Sequence, residues 1–175
     1  MQKRTAFKLC LAGATAVALN AAPVAVFAKD DPLKVAFVYV SPANEEGWSS
    51  QHDIARKFVE EKFGDKIKVT WIENIPENAD AQRVIRDLAQ QGNKIIFATS
   101  FGYMNSVMKV AKQFPNVYFE HATGYKTSKN VKNYTARFYE GRYLAGMLAA
   151  ATTKTNILGY VAALPIPEVF QGINA

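Results

Sequence analysis

Three short stretches carry the side chains best suited to holding a small molecule. The first, Ser41-Pro42-Ala43-Asn44-Glu45-Glu46-Gly47-Trp48-Ser49, sets a large indole beside a glycine where a helix should begin. A helix start offers an aromatic little core to fill, so Trp48, flanked by Gly47 and Asn44, reads as a solute contact. The second, Thr99-Ser100-Phe101-Gly102-Tyr103, supplies two rings, hydroxyls and a glycine that lets backbone N–H groups approach a ligand closely. The third, Glu120-His121-Ala122-Thr123-Gly124, brings a carboxylate, an imidazole and a hydroxyl together, and these could read heteroatoms. A planar, hydrogen-bonding solute would suit the set. Each residue also has a plainer reading: Trp48 could pin its helix, Phe101 could be core, and His121 could be a structural hydrogen bonder. Their shared position, more than any one identity, favours a site.

Covalent chemistry is poorly supplied. The chain has no Gly-x-Ser-x-Gly elbow, no Gly-x-x-x-x-Gly-Lys phosphate loop and no glycine-rich turn after its first apolar run. Its two histidines, His52 and His121, do not form a metal-binding pair, and its one cysteine is Cys10, so neither a metal centre nor a cofactor is expected. His52, inside a helix beside Asp53, is the weaker histidine candidate.

These loops need elements to position them. Residues 35–40 (VAFVYV) are short, apolar and β-branched, as a strand covered on both faces should be. A helix follows, capped by Ser49 or Ser50, with Ile54, Ala55, Phe58 and Val59 as its inner face and Gly64 closing it. The unit repeats: Ile67, Val69 and Trp71 make a strand, and Ala81, Val84, Ile85, Leu88 and Ala89 fall at helical spacing before Gly92. Residues 95–98 give a third strand, Met104, Val107, Met108 and Ala111 a third helix, and Pro115 stops it before a fourth strand from Val117. Three βα units in succession imply an α/β fold with a parallel sheet. Ligands of such sheets bind beyond the carboxyl ends of the strands, where the loops above begin. Lys126, Lys129 and Lys132 read as a solvated edge before a short strand at 134–136. A small-residue helix from Glu140 to Thr152, a buried strand at 157–162 and the opening of a helix from Glu168 complete the pattern.

Composition bounds the rest. The 175 residues are 49% hydrophobic and 12% aromatic, enough for a packed core. Lys3, Arg4 and Lys8 precede an apolar, alanine-rich stretch to Phe27, and Val26-Phe27-Ala28 ends it, so residues 1–28 read as a secretory signal peptide with the mature chain starting near Lys29. Gly13, Asn20 and Pro23 argue against a membrane anchor, and Cys10 lies too early for lipid attachment. Removing the three leader cations takes the formal charge from +6 to +3, too mild to argue for nucleic acid. The mature chain is left without cysteine.

A longer set of motifs then carries a resemblance. Gly47-Trp48-Ser49, residues 99–103 and 119–124, Ala136-Arg137-Phe138-Tyr139-Glu140-Gly141-Arg142, Pro165-Ile166-Pro167-Glu168 and Gln171-Gly172-Ile173-Asn174 resemble the basic membrane protein (Bmp) group of substrate-binding proteins, over nearly all of residues 34–175. Such proteins serve ABC importers and often bind purine nucleosides or bases. The resemblance implies a periplasmic-binding-protein type I architecture: two Rossmann-like α/β lobes, a hinge, and a solute in the cleft. It implies a first lobe over residues 29–136, and a hinge crossing and incomplete second lobe over 137–175. The candidate contacts become Asn44, Gly47, Trp48, Ser100, Phe101, Gly102, Tyr103, His121, Phe138, Tyr139 and Glu168. The expected partners are a purine-like solute, adenine-like by preference, and a transporter permease, and the expected location is the periplasm. No nucleic-acid partner and no stable membrane insertion after leader removal are expected. The alternative is a secreted α/β enzyme acting on a nucleoside, with His121 or Glu120 as acid or base.

Overall fold

Short β-branched runs separated by helical repeats can bury their apolar sides only by stacking the strands edge to edge and laying the helices on the faces. The computed structural model describes residues 31–44 and 46–175; the expected leader, residues 1–28, and the chain start at Lys29 lie outside them. Asp31–Ala175 forms one compact unit. Among the described residues five strands make one sheet: β1 (Leu33–Val38), β2 (Ile67–Ile72), β3 (Ile95–Ala98), β4 (Tyr118–Ala122) and β5 (Val131–Tyr134). The order is β2-β1-β3-β4-β5 and every pairing is parallel. The helices are α1 (Trp48–Phe63), α2 (Ala79–Gln90), α3 (Met104–Ala111), α4 (Phe138–Thr152) and α5 (Pro167–Ile173).

The two faces of the sheet differ. On one, Ala36, Val38, Ile96, Ala98 and Phe119 pack against Ala81, Ile85 and Leu88 of α2 and Val107 and Val110 of α3. The apolar spacing read from the sequence therefore predicts α2 and α3 correctly. Asn78 caps α2 by accepting the Asp80 N–H at 2.8 Å. On the other face Val35, Phe37 and Tyr39 form a smaller cluster flanked by Val69, Ile95 and Phe97. Phe37 and Phe97 stack there with centroids 4.6 Å apart.

The expected inner face of α1 is wrong. Its buried side chains are Ser49, Asp53 and Arg56, while Ile54 and Phe58 are 58% and 60% exposed. The cause lies in the sheet beneath: Tyr39, the residue after β1, carries a buried phenol that needs a partner, and it donates to Asp53 Oδ1 at 3.4 Å. Arg56 donates to the same oxygen at 2.6 Å and lays its guanidinium over Trp71, 3.9 Å from the ring centroid. Burial alone would raise the Asp53 carboxyl, but its bonds to Arg56 and Lys57 outweigh that and hold it below the usual range. Charged pairing, not apolar periodicity, thus chooses which side of α1 turns inward. The helix is capped by Gly47 without a side-chain bond, not by Ser49 or Ser50.

Three smaller differences follow from packing. The fifth strand runs over Val131–Tyr134, three residues before the expected 134–136, because Phe119–Ala122 pairs with it in that register. The segment 157–162 is not a strand and is exposed, Val161 to 98%, since among the described residues no strand lies alongside to share its backbone hydrogen bonds. The small-residue helix α4 starts at Phe138, two residues before the expected Glu140, buries none of its residues, and meets α5 through Arg142 and Glu168. Leu88→Ala should therefore cost about 2–5 kcal/mol, and Ile54→Ala less than about 1 kcal/mol, in urea denaturation; comparable losses would show that α1 is packed the other way round.

Candidate functional site

Parallel strands deliver all their carboxyl ends to one edge, and β1 and β3 diverge there because the chain leaves β1 towards β2 but returns on the far side to form β3. The loops after β1 and β3 flank that switch point. Trp48 joins them: its indole Nε1 donates to the Thr99 carbonyl. Gly47, at φ 123°, adopts a backbone that a side chain would strain, and so swings Trp48 into place as the first residue of α1. The Trp48 ring lies 5.6 Å from Phe138 and 4.9 Å from His52, tilted by 43° and 50°.

A cavity of about 450 Å³ opens between this edge and the α4–α5 pair. It is lined by Trp48, Phe101 and Phe138, by Glu77, Ser100 and Thr123, and from the helical side by Arg142 and Glu168. Its size and its few polar groups among apolar walls suit a small organic molecule. Arg142 donates to Glu168 Oε1 at 3.1 Å, so the helical wall carries a compensated ion pair. Thr123 sits at φ 60°, a strained setting for a β-branched residue, and donates through Oγ1 to the Ala122 carbonyl at 2.7 Å. A second cavity of about 440 Å³ shares Trp48, Thr123 and Phe138, but is otherwise lined by Gly47, Gln51, His52, Ala55 and Tyr134 and lacks carboxylates.

The candidates named from the sequence divide in the structure. Trp48, Ser100, Phe101, Phe138 and Glu168 line the first cavity, and Gly47 the second. Gly102 lines neither cavity, but its N–H donates at 2.9 Å to Oε1 of Glu77, which lines the first. Asn44 is exposed and lines neither cavity, and Tyr139 turns to the Arg137 side chain, whose Nε donates to its phenol at 2.8 Å. Tyr103 is fully buried and spends its hydroxyl on the Ile75 carbonyl.

His121 also lines neither cavity. It is buried, and its Nε2–H donates to the Ser100 carbonyl at 2.7 Å, which leaves Nδ1 as a bare acceptor. Gly124 makes room for the ring, since a Cβ there would stand 2.0 Å from Nδ1. His121 therefore orients the Ser100 loop from below. Glu77 and Arg142 escaped the sequence reading. The signal for Glu77 was available: its loop follows β2 and reaches the same sheet edge, but it holds no aromatic or glycine to draw notice.

Burial holds the His121 imidazole below its ordinary value of 6.5, against the Ser100 carbonyl bond that would raise it. Burial does the same to His52, against its bond to the Trp48 carbonyl. The unfolded chain then binds protons that the folded chain refuses, so this stability is complete above about pH 6.5 and is lost as pH falls below it. His121→Gln, which keeps a donor for Ser100 but does not titrate, should give a shallower dependence of denaturation free energy on pH between about 5 and 7. An unchanged slope would assign the whole effect to His52 or elsewhere.

Comparison with known proteins agrees with this architecture. Residues 33–175 match the family described as ABC transporter substrate-binding protein PnrA-like (Bmp). A purine-binding protein of Brucella abortus is 55% identical over 146 residues, which cover 83% of this chain and 42% of the relative. A putative ABC transporter glucose-binding protein of Haloferax volcanii is 43% identical over 145 residues, covering 83% and 37%. An ABC transporter nucleoside-binding protein of Lactococcus lactis is 37% identical over 73 residues, covering 41% and 21%. The chain thus spans about two fifths of the length of the first two. Among solved structures, a solute-binding protein from Aeropyrum pernix superposes with a TM-score of 0.66 at 18% identity, over 81% of this chain and 40% of that one. Another, from Conexibacter woesei, gives 0.58 at 22% over 67% and 40%; at these identities both speak to the fold alone.

Proposed function

The chain belongs to the family of PnrA-like ABC transporter substrate-binding proteins, and we propose that its protein captures a purine base or nucleoside, adenine-like by preference, for an ABC importer. On this reading the signal peptide at residues 1–28 delivers it to the periplasm, and the capturing protein hands its solute to a transporter permease without transforming it. Among the described residues no helix is long and apolar enough to cross a membrane.

One observation carries the reading: three aromatic rings, Trp48, Phe101 and Phe138, wall a cavity whose other faces hold only a few polar groups. A flat heterocycle offers such rings its faces and offers the polar groups its edge. Base–aromatic stacking contributes about 1–3 kcal/mol per ring. Micromolar capture needs about 8 kcal/mol, so one stack from the sheet side requires support from polar contacts and from the lobe we read as starting at residue 137. The Brucella relative, a purine-binding protein by name, favours a purine over the sugar named for the Haloferax relative.

The Trp48 indole is pinned by Thr99 before any solute arrives, so its face is preorganised. Titration of the full-length mature protein with adenine, adenosine, hypoxanthine and glucose by calorimetry should give heat with the purines. Trp48→Ala should weaken purine binding by roughly 5- to 150-fold with the fold intact, and Trp48→Phe, which keeps a ring but loses the Thr99 bond, by less. Binding of glucose alone would replace the purine reading with a sugar one.

A further inference from the structure

The sheet side of the cavity is unusual in how its hydrogen-bonding groups are spent. The Trp48 N–H goes to the Thr99 carbonyl, the Thr123 hydroxyl to the Ala122 carbonyl, and the Ser100 hydroxyl and Gly102 N–H both to Glu77 Oε1. Every one of these donors is used within the protein. What they leave is an acceptor: among the described residues Glu77 Oε2 makes no hydrogen bond and no cation pairs with this carboxylate, although Glu77 lines the cavity. Arg142, the cation in the cavity wall, is bound to Glu168 instead.

We propose that Glu77 is a specificity-determining residue whose free Oε2 accepts a hydrogen bond from an exocyclic amino group on the bound solute. The inference rests on the purine reading above and assigns its adenine-like preference to one residue. Two features show that the carboxylate is held for such a role. Oε1 takes two bonds at once, from a hydroxyl and from a backbone N–H, so the group cannot swing away without losing both. Gly102 also makes its seat possible, because a Cβ at that position would stand 2.4–2.7 Å from the Glu77 carboxyl atoms. A carboxylate fixed beside aromatic rings attracts N–H edges, and a bare acceptor set against a solute carbonyl would leave both groups without a partner.

The chemistry suggests an isosteric test. In Glu77→Gln the amide oxygen can still take the Ser100 and Gly102 bonds, while Oε2 becomes an NH₂ that donates where the carboxylate accepted. The full-length mature protein and this variant are titrated calorimetrically with adenine and with unsubstituted purine, which carries hydrogen in place of the amine. Wild type should bind adenine at least about 10-fold more tightly than purine. In Glu77→Gln adenine should weaken by about 10- to 100-fold while purine changes by less than about 3-fold, with the thermal midpoint unchanged. Gly102→Ala, which displaces the carboxylate by a separate route, should lose the same preference. Wild-type adenine affinity in Glu77→Gln, an equal loss for both ligands, or a wild type that does not prefer adenine would each overturn the inference while leaving the purine reading in place. A wild type that binds no purine would remove both.

Discussion

The rest of this structure depends on one topological constraint: parallel strands end together, and β1 and β3 are neighbours whose following loops run apart. That divergence opens a gap at the sheet edge which the strands cannot close. The Trp48 indole reaches across it to the carbonyl of Thr99, the residue after β3. The same indole presents its ring to the cavities on either side, so the residue that ties the two loops also forms part of the wall. In Trp48 the structural role and the proposed recognition role coincide, because the gap and the candidate site are one place.

Around that gap the polar groups form two tiers. His121, below, holds the Ser100 carbonyl, and Ser100 and Gly102, above, hold Glu77. The lower tier is buried, and Ser100 and Glu77 of the upper tier line the cavity, so an imidazole that itself lines neither cavity still sets the position of groups that line one. Thr123, kept at a strained backbone angle where β4 ends, belongs to the same edge. Opposite stands the Arg142–Glu168 pair, whose residues are 26 apart in sequence and which joins α4 to α5.

The two faces of the sheet explain where sequence patterns serve and where they mislead. On the α2–α3 face, burial is apolar and periodic, and the periodicity read from Ala81 to Ala89 names the core directly. On the α1 face, Tyr39 and Trp71 call for polar and cationic partners, and Asp53 and Arg56 meet them. An apolar stripe of Ile54 and Phe58 therefore points outward although a helical wheel favours it as core. The segment 157–162 shows the same limit for strands: a β-forming composition yields a strand only where a neighbour supplies hydrogen bonds.

The parallel sheet and the order of its strands and helices as far as β5 were legible in the amino-acid sequence, because strand and helix periods are local properties of the chain. So were the motifs that mark its family. The tertiary structure alone decided which loop residues face the cavity. It turned Tyr103 and His121 inward, left Asn44 in solvent, and brought in Glu77, from a loop of undistinguished composition, and Arg142, from a motif in which the rings drew notice first. The reason is physical: whether a polar side chain meets a ligand depends on which protein group has already taken its hydrogen bond, and those partners lie 21 to 28 residues away along the chain.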